Sequence, residues 1–356
     1  MIAHVRLQPR VLLLGLLGSA VVVSFVKWTR ITIPEYAAHV SILPSLAERP
    51  ILIAGGDAPS HSQPAAATGR VCPGAHAGNL CTGVSAPESP SIHVVLKTGA
   101  GERVKTQAVV STLLACGNSA DITIVSDTED EINGHHVYDV LADLPSAYAA
   151  DNPDWDIYSA QKEAVQKGIP IGRTPEGWRL DRFKFLPMLE KAFERAPDVD
   201  WYFFFESDIY FSWASLHHFV SKLDANERHY IGSAAPGSNH TFFAYGGAGF
   251  LLSRRLMHDL LDQGGERLSA RYVEWVKRDC CGDTLLAYVL REERNVRVEN
   301  AYPVLSGEAP EALRIDAENW CLPVLSLHRV GTTTPGSLWR AERCRPAEKV
   351  RRSLRS

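Results

Sequence analysis

WYFFFESDIYF, residues Trp201 to Phe211, runs five bulky apolar side chains without interruption into two acids, Glu206 and Asp208. A strand covered on both faces shows no alternation of apolar and polar residues, and Trp201 to Phe205 fit that pattern. In open α/β sheets the ligand crevice lies at the carboxyl ends of the strands. Side chains two apart on extended chain point the same way, so both carboxylates face one site. No basic residue stands close by in the sequence to neutralise them, which points to a metal ion. The competing structural reading is a solvated turn at a strand's end, where acids are common and a three-residue motif is a weak signal.

Outward from this segment, strands and helices alternate. SIHVVLKT reads as a buried strand, and RVKTQAVVSTLLACG as an amphipathic helix ended by Gly117. ADITIVSD and the shorter HVYDVLADL are further strands; DIYSAQKEAVQKG is helical with a glycine stop. GWRLDRFKFLPMLEKAFERA is a longer helix that Pro187 bends or makes start late. Such alternation implies a Rossmann-type α/β fold, a mostly parallel sheet flanked by helices on both faces.

The chain has 356 residues, 45% of them hydrophobic, and a formal net charge of -4. That balance supports a sizeable core and argues against nucleic-acid binding. Val11 to Val26 form an uninterrupted run of apolar or weakly polar residues between Arg6 and Arg10 on one side and Lys27, Trp28 and Arg30 on the other. It is slightly short for a span, but Trp28 and a snorkelling Lys27 extend it. The rival reading is a cleaved signal peptide, for which VKWTRIT offers no small-residue cleavage site. The expected division is a cytoplasmic tail over 1–10, a membrane anchor over 11–27 and an Ala/Pro/Ser/Gly-rich flexible stem over 28–90. The folded domain follows over 91–345, then a basic tail over 346–356.

Seven cysteines occur, and all but Cys116 lie in loops or element ends, consistent with disulfides in an oxidising lumen. Cys116 reads as a buried free thiol. Asn239-His240-Thr241 is a lone glycosylation sequon.

Three other features carry chemistry. FFAYGGAGFLLSRRLMHDLL holds Gly246, Gly247 and Gly249 between an aromatic run and an amphipathic helix, where glycine lets backbone approach a ligand; a plain strand-to-helix turn is the alternative. In KRDCCGDTLLAYVL, Asp283 opens a helical pattern, either as an N-cap or as a general base beside a pocket. In WCLPVLSLHRV, His328 ends a β-like run. A lone histidine there is more often structural than a ligand.

Taken in order, VVLKTG, ITIVSDTED, WYFFFESDIYF, FFAYGGAGFLLSR, CCGDTLLAYVL and LPVLSLHRV resemble glycosyltransferase family 31, which includes the Fringe and core 1 β-1,3-galactosyltransferase enzymes. The likeness is greatest to fungal members, in which EAD replaces DDD, and spans roughly residues 91 to 330. It implies a GT-A fold, type II topology in the Golgi membrane, a UDP-sugar donor, Mn²⁺ and a glycan or glycoprotein acceptor. By the same resemblance Asp208 and His328 are metal ligands, and Glu206 sits nearer the ribose or a metal-bound water. Thr98, Ser126 and Asp127 line the nucleotide pocket, Gly246 and Gly247 form the turn near the donor sugar, and Asp283 is the catalytic base. This chain departs from the pattern at Ser207, in place of the middle acid, and at Arg329, where many relatives have a second histidine. Those departures keep open a catalytically silent, membrane-anchored carbohydrate-binding protein. A glycoside hydrolase, with two carboxylates facing across a sugar, is a further alternative.

Overall fold

The computed structural model describes residues 90–339 except 116–120, 238–240, 263, 315, 318 and 332–335. The apolar run at Val11–Val26, the stem, Cys72, Cys81, Cys116, Cys344, Asn239 and the basic tail lie outside the described residues. Among the described residues no helix is long and apolar enough to cross a membrane.

The centre is a pair of parallel strands, β1 (Ile92–Lys97) and β5 (Trp201–Glu206). Every residue of β1 is buried, and so are Trp201 to Phe205. Alternate side chains feed two different cores. Val95, Tyr202 and Phe204 pack on one face, and Val94, Leu96, Phe203 and Phe205 on the other. A strand that serves two cores has no polar face, which is why the sequence shows none.

On one side of β1 follow β2 (Ile122–Ser126), β4 (His135–Asp139) and the edge strand β3 (Asp130–Ile132). Beyond β5 lie β10 (Phe250–Ser253), β7 (Tyr230–Gly232) and β11 (Glu299–Asn300). β2, β4, β1 and β5 run parallel; β10 runs antiparallel to both of its neighbours, as β3 does to β4. The expected mostly parallel sheet with flanking helices is therefore present, as a mixed α/β fold.

The helices differ from expectation in detail. α1 (Arg103–Val110) stops well before Gly117. Ser111 and Thr112 there donate their hydroxyls to the carbonyls of Gln107 and Ala108, at 2.7 Å each, and the chain passes into turns. α2 covers Asp154–Gln166. The long segment before β5 is two pieces, a 3₁₀-helix over Gly177–Lys184 and α3 (Phe185–Arg195), so Pro187 falls in the first turn of α3, where it is tolerated.

A small second sheet places the last functional segment. β6 (Tyr210–Phe211) pairs antiparallel with β13 (Ser326–Leu327), which pairs with β12 (Leu305–Ser306). Leu327 lies opposite Tyr210, so His328 is carried alongside Asp208, and the Val330 N–H donates to the Asp208 carbonyl at 2.8 Å.

Candidate active site at the carboxyl ends of β1 and β5

Glu206 is the last residue of β5, and Asp208 sits in the turn that leads to β6. With His328 they form one cluster, each contributing a ligand atom within 4.8 Å of the others. His328 Nε2 lies 3.5 Å from Asp208 Oδ1, beyond an ordinary hydrogen bond, and that oxygen is buried with no hydrogen-bond partner. His328 Nδ1 faces the Gly307 carbonyl at 3.2 Å. A carbonyl only accepts, so Nδ1 carries the proton and the lone pair of a neutral ring sits on Nε2, facing a carboxylate. Two acceptors pointed at one another fit a cation between them. Burial alone would raise the Asp208 carboxyl, but positive charge beside it, from a protonated His328 and from the Lys105 ammonium, outweighs that and holds it below its ordinary value; with a neutral ring, a cation between the two would take the place of the imidazolium.

Glu206 has a partner the sequence did not reveal. Its register mate on β1 is Lys97, whose Nζ lies 3.1 Å from Glu206 Oε1 and 2.5 Å from Asp181 Oδ2. The expectation that no base neutralises these acids is thus corrected for both: Lys97 on the neighbouring strand reaches Glu206 across the sheet, and Lys105 of α1 stands 3.8 Å from Asp208 Oδ2. Burial would lower the Lys97 ammonium, yet the charges of Asp181 and Glu206 hold its pKa above the usual range. Glu206 is pushed up, first by burial and then by Asp181 and Asp208, against the pull of Lys97.

Gly246 and Gly247 lie in a 3₁₀ turn, Gly246–Ala248, between β10 and β9 (Phe242–Ala244), which pairs antiparallel with β8 (Ala234–Pro236). The glycine turn therefore joins two strands rather than a strand and a helix, and α5 (Arg254–Leu261) begins only after β10. A Cβ on Gly246 would meet Glu206 Oε1 at 3.2 Å and Asp283 Oδ2 at 3.6 Å; one on Gly247 would meet His328 Nε2 at 2.7 Å. The backbone threads between the acids because it carries no side chains.

Asp283 lies in the first turn of α8 (Gly282–Arg294) and is not its N-cap, which is Cys281. (The helices between α5 and α8 are α6, Leu268–Arg271, and α7, Val273–Arg278; α4 is Trp213–Val220.) Its Oδ2 accepts from the Gly246 N–H at 3.1 Å and its Oδ1 from the Thr284 N–H at 2.9 Å. Burial pushes its carboxyl up, against the opposing pull of the Gly246 N–H and of Lys97. A base held above the carboxylate range by a dry setting is better matched to taking a proton near neutral pH.

The remaining predicted residues cluster at the ends of β1 and β2 with their polar atoms engaged. The Thr98 hydroxyl pairs with that of Thr106 at 2.6 Å. Asp127 accepts from the Ala100 N–H at 2.7 Å and pairs with Lys184 Nζ at 3.0 Å, while Ser126 Oγ stands 3.4 Å from Asp127 Oδ1. Lys184 also donates to the Thr98 carbonyl at 2.8 Å. Sequence reasoning missed Lys97, Asp181 and Lys184. One signal was available: a lysine closing the apolar run VVLK.

Cys280 and Cys281 form a disulfide just before α8, a pairing the spacing left open. Cys321, expected among the disulfide cysteines, is an exposed free thiol. A cavity of about 260 Å³ beside β2 and β4, lined by residues including His135, Tyr138 and Arg195, contains none of the predicted site residues.

Comparison with known proteins adds two findings. No curated protein matches the sequence. A crystal structure of the galactosyltransferase LgtC with donor and acceptor sugar analogues matches with a TM-score of 0.33 and 11% identity, covering 73% of this chain and 99% of that one. At that score the likeness is slight, and nothing below rests on it. The Fringe-like family model matches residues 182–303, a span that includes Glu206, Asp208, Gly246, Gly247 and Asp283. Over residues 182–303 the chain is thus similar to the Fringe-like family.

Proposed function

We propose that the protein is an inverting, metal-dependent glycosyltransferase of the GT-A type. It moves a hexose, of the galactose or N-acetylglucosamine class, from a UDP-sugar to a hydroxyl of a glycan or glycoprotein, in β-1,3 linkage. One observation carries this reading: the Asp208 oxygen that has no hydrogen-bond partner faces His328, while the Gly246 N–H holds Asp283 nearby. Asp208 and His328 would hold Mn²⁺ or another divalent cation, with Glu206 adjacent. A bound ion of that kind neutralises charge developing on a diphosphate leaving group.

This chain's own residues supply the rest. Asp283, fixed by two backbone N–H groups, accepts the proton of the acceptor hydroxyl. The acceptor oxygen then bonds to the anomeric carbon as the bond from that carbon to the UDP oxygen breaks, and displacement from the opposite face turns an α-linked donor into a β-linked product. A positioned base of this kind contributes about 10²–10⁴-fold in rate.

The apolar run at Val11–Val26 with its basic flanks supports a single-pass type II protein of the Golgi membrane, with the site lumenal. The proposed divisions fall after residues 10, 27, 90 and 345. Protease protection checks the topology: a C-terminal tag is shielded in sealed membranes and an N-terminal one is not. The activity is tested by UDP release from a panel of UDP-sugars, with and without Mn²⁺, then by acceptor dependence. Asp208→Ala abolishes release while the fold persists; unchanged turnover in that variant overturns the metal assignment.

A further inference from the structure

Lys97 is a cation with no room for a ligand. Its side chain is 5% exposed, its ammonium meets Asp181 at 2.5 Å and Glu206 at 3.1 Å, and it stands 4.5 Å over the ring of Phe185. The alternation of β1 and β5 places it there, because Val95 and Phe204 pack on the same face and Lys97 and Glu206 are the next residues on it. Asp181 is held in turn by the 3₁₀-helix, one turn before Lys184, which reaches Asp127. Lys97 is thus built in between two fixed anions.

Glu206 belongs at once to this pair and to the cluster with Asp208 and His328. A divalent ion in that cluster and the Lys97 ammonium are like charges that want the same carboxylate. The ammonium is covalently placed and its second partner, Asp181, keeps it from swinging away. Resting on the metal reading proposed above, we infer that Lys97 is a positioning residue that withholds Glu206 from the ion, leaving it to Asp208 and His328. The ion is then held by few protein ligands and its remaining positions stay open to the donor's diphosphate.

The inference has a readout that needs no turnover. Free Mn²⁺ is followed by electron paramagnetic resonance as it is titrated with the full chain. Lys97→Met tightens Mn²⁺ binding by about tenfold, since it frees a carboxylate and removes a like charge. Adding Glu206→Gln to Lys97→Met cancels the gain, which a merely structural lysine does not predict. Because Lys97→Met strands Asp181, the double variant Lys97→Met/Asp181→Asn removes the pair together, and it too binds Mn²⁺ more tightly. Unchanged or weaker binding in the folded lysine variants, with the wild type binding normally, overturns this inference alone. If neither the wild type nor any variant binds Mn²⁺, both the inference and the metal reading fall.

Discussion

The carboxyl edge of the sheet has two halves that treat charge in opposite ways. At the ends of β1 and β2, Asp127 and Lys184 are 2% and 4% exposed and satisfy one another, with the Ala100 N–H and the Thr98 carbonyl taking up further bonds. At the ends of β5 and β13, Asp208 and His328 face each other at 3.5 Å, and one buried carboxylate oxygen has no hydrogen-bond partner. The first half is closed and internally neutral. The second carries an unmet electrostatic demand. On the reading proposed above, the cation would bind in the second half, and the first half serves as the floor that fixes the loop after β1. Lys97 and Asp181 sit at the boundary and belong to both.

Breaking the two halves should produce different losses. In the open half, Asp283→Asn lowers the transfer rate by about 10²–10⁴-fold, read as kcat with donor and acceptor saturating, while Mn²⁺ affinity stays unchanged. The wild-type rate should also depend on pH with a definite sign. If Asp283 works as the ionised base, as proposed, the rise that burial gives its pKa makes kcat climb with pH through a midpoint above the ordinary aspartate value and then level. The asparagine variant loses that rise. In the closed half, Lys184→Met costs about 3–5 kcal/mol of stability, because it strands the buried Asp127. Urea unfolding measures it, and a cost below 1 kcal/mol would mean the pair is not sealed.

The sequence made the open half easier to see than the closed one, for a physical reason. An apolar run ending on Glu206 and Asp208 is local, and a strand's period puts both acids on one side. His328 ends a recognisable run, but only the family resemblance marked it as a ligand, and only the pairing of β13 with β6 brings it to Asp208. Lys97 reaches Glu206 through the register of two strands far apart in sequence, and Lys184 reaches Asp127 through the phase of a 3₁₀-helix that reads as part of a longer α-helix. Neither is a local pattern. The glycine turn was misplaced because FLLS is only four residues long and reads as part of the approach to α5, whose first residues Arg254 and Arg255 follow it directly. The end of α1 at Val110 leaves no mark in the periodicity, because Leu113 and Leu114 continue the apolar pattern past it.

A buried group with no carboxylate beside it sharpens the contrast. His93, at the other end of β1 from Lys97, is fully buried; its Nε2 lies 2.7 Å from Thr123 Oγ1. Burial, reinforced by the nearby Arg195, lowers its pKa from 6.5 to about 4. The unfolded chain takes up this proton below pH 6.5 and the folded chain does not until about pH 4, so folding stability falls as pH drops through that window. The share from His93 is roughly 3 kcal/mol at most. His93→Leu should flatten that part of the profile in unfolding experiments between these two values. Equal slopes in wild type and variant would show that the imidazole is already charged in the fold.

The smallest expected effect compares one added methyl group in each half. In the closed half, a Cβ on Gly99 would meet Lys184 Nζ at 3.2 Å and Asp127 Oδ2 at 3.4 Å, contacts at or just inside ordinary packing that a lysine tip can relieve. In the open half, a Cβ on Gly247 would meet His328 Cε1 at 2.6 Å, Nε2 at 2.7 Å and Tyr245 Cε1 at 2.8 Å. The imidazole has little room to retreat: its Nδ1 is tied to the Gly307 carbonyl, and Gly307 itself packs so closely on Tyr245 that its own Cβ would stand 2.6 Å from the ring. The 3₁₀ backbone at Gly247 has no positive φ, so alanine is strained there only by what it touches. Gly247→Ala should therefore turn the His328 ring away from Asp208 and weaken Mn²⁺ binding by about tenfold, roughly the loss that displaced support of a metal ligand brings. Gly99→Ala should leave that affinity within about twofold, since the lysine tip it crowds can shift aside and no metal ligand is touched. Equal effects from the two methyl groups would erase the distinction between the halves, because the open half would then hold its histidine no more strictly than the closed half holds its lysine.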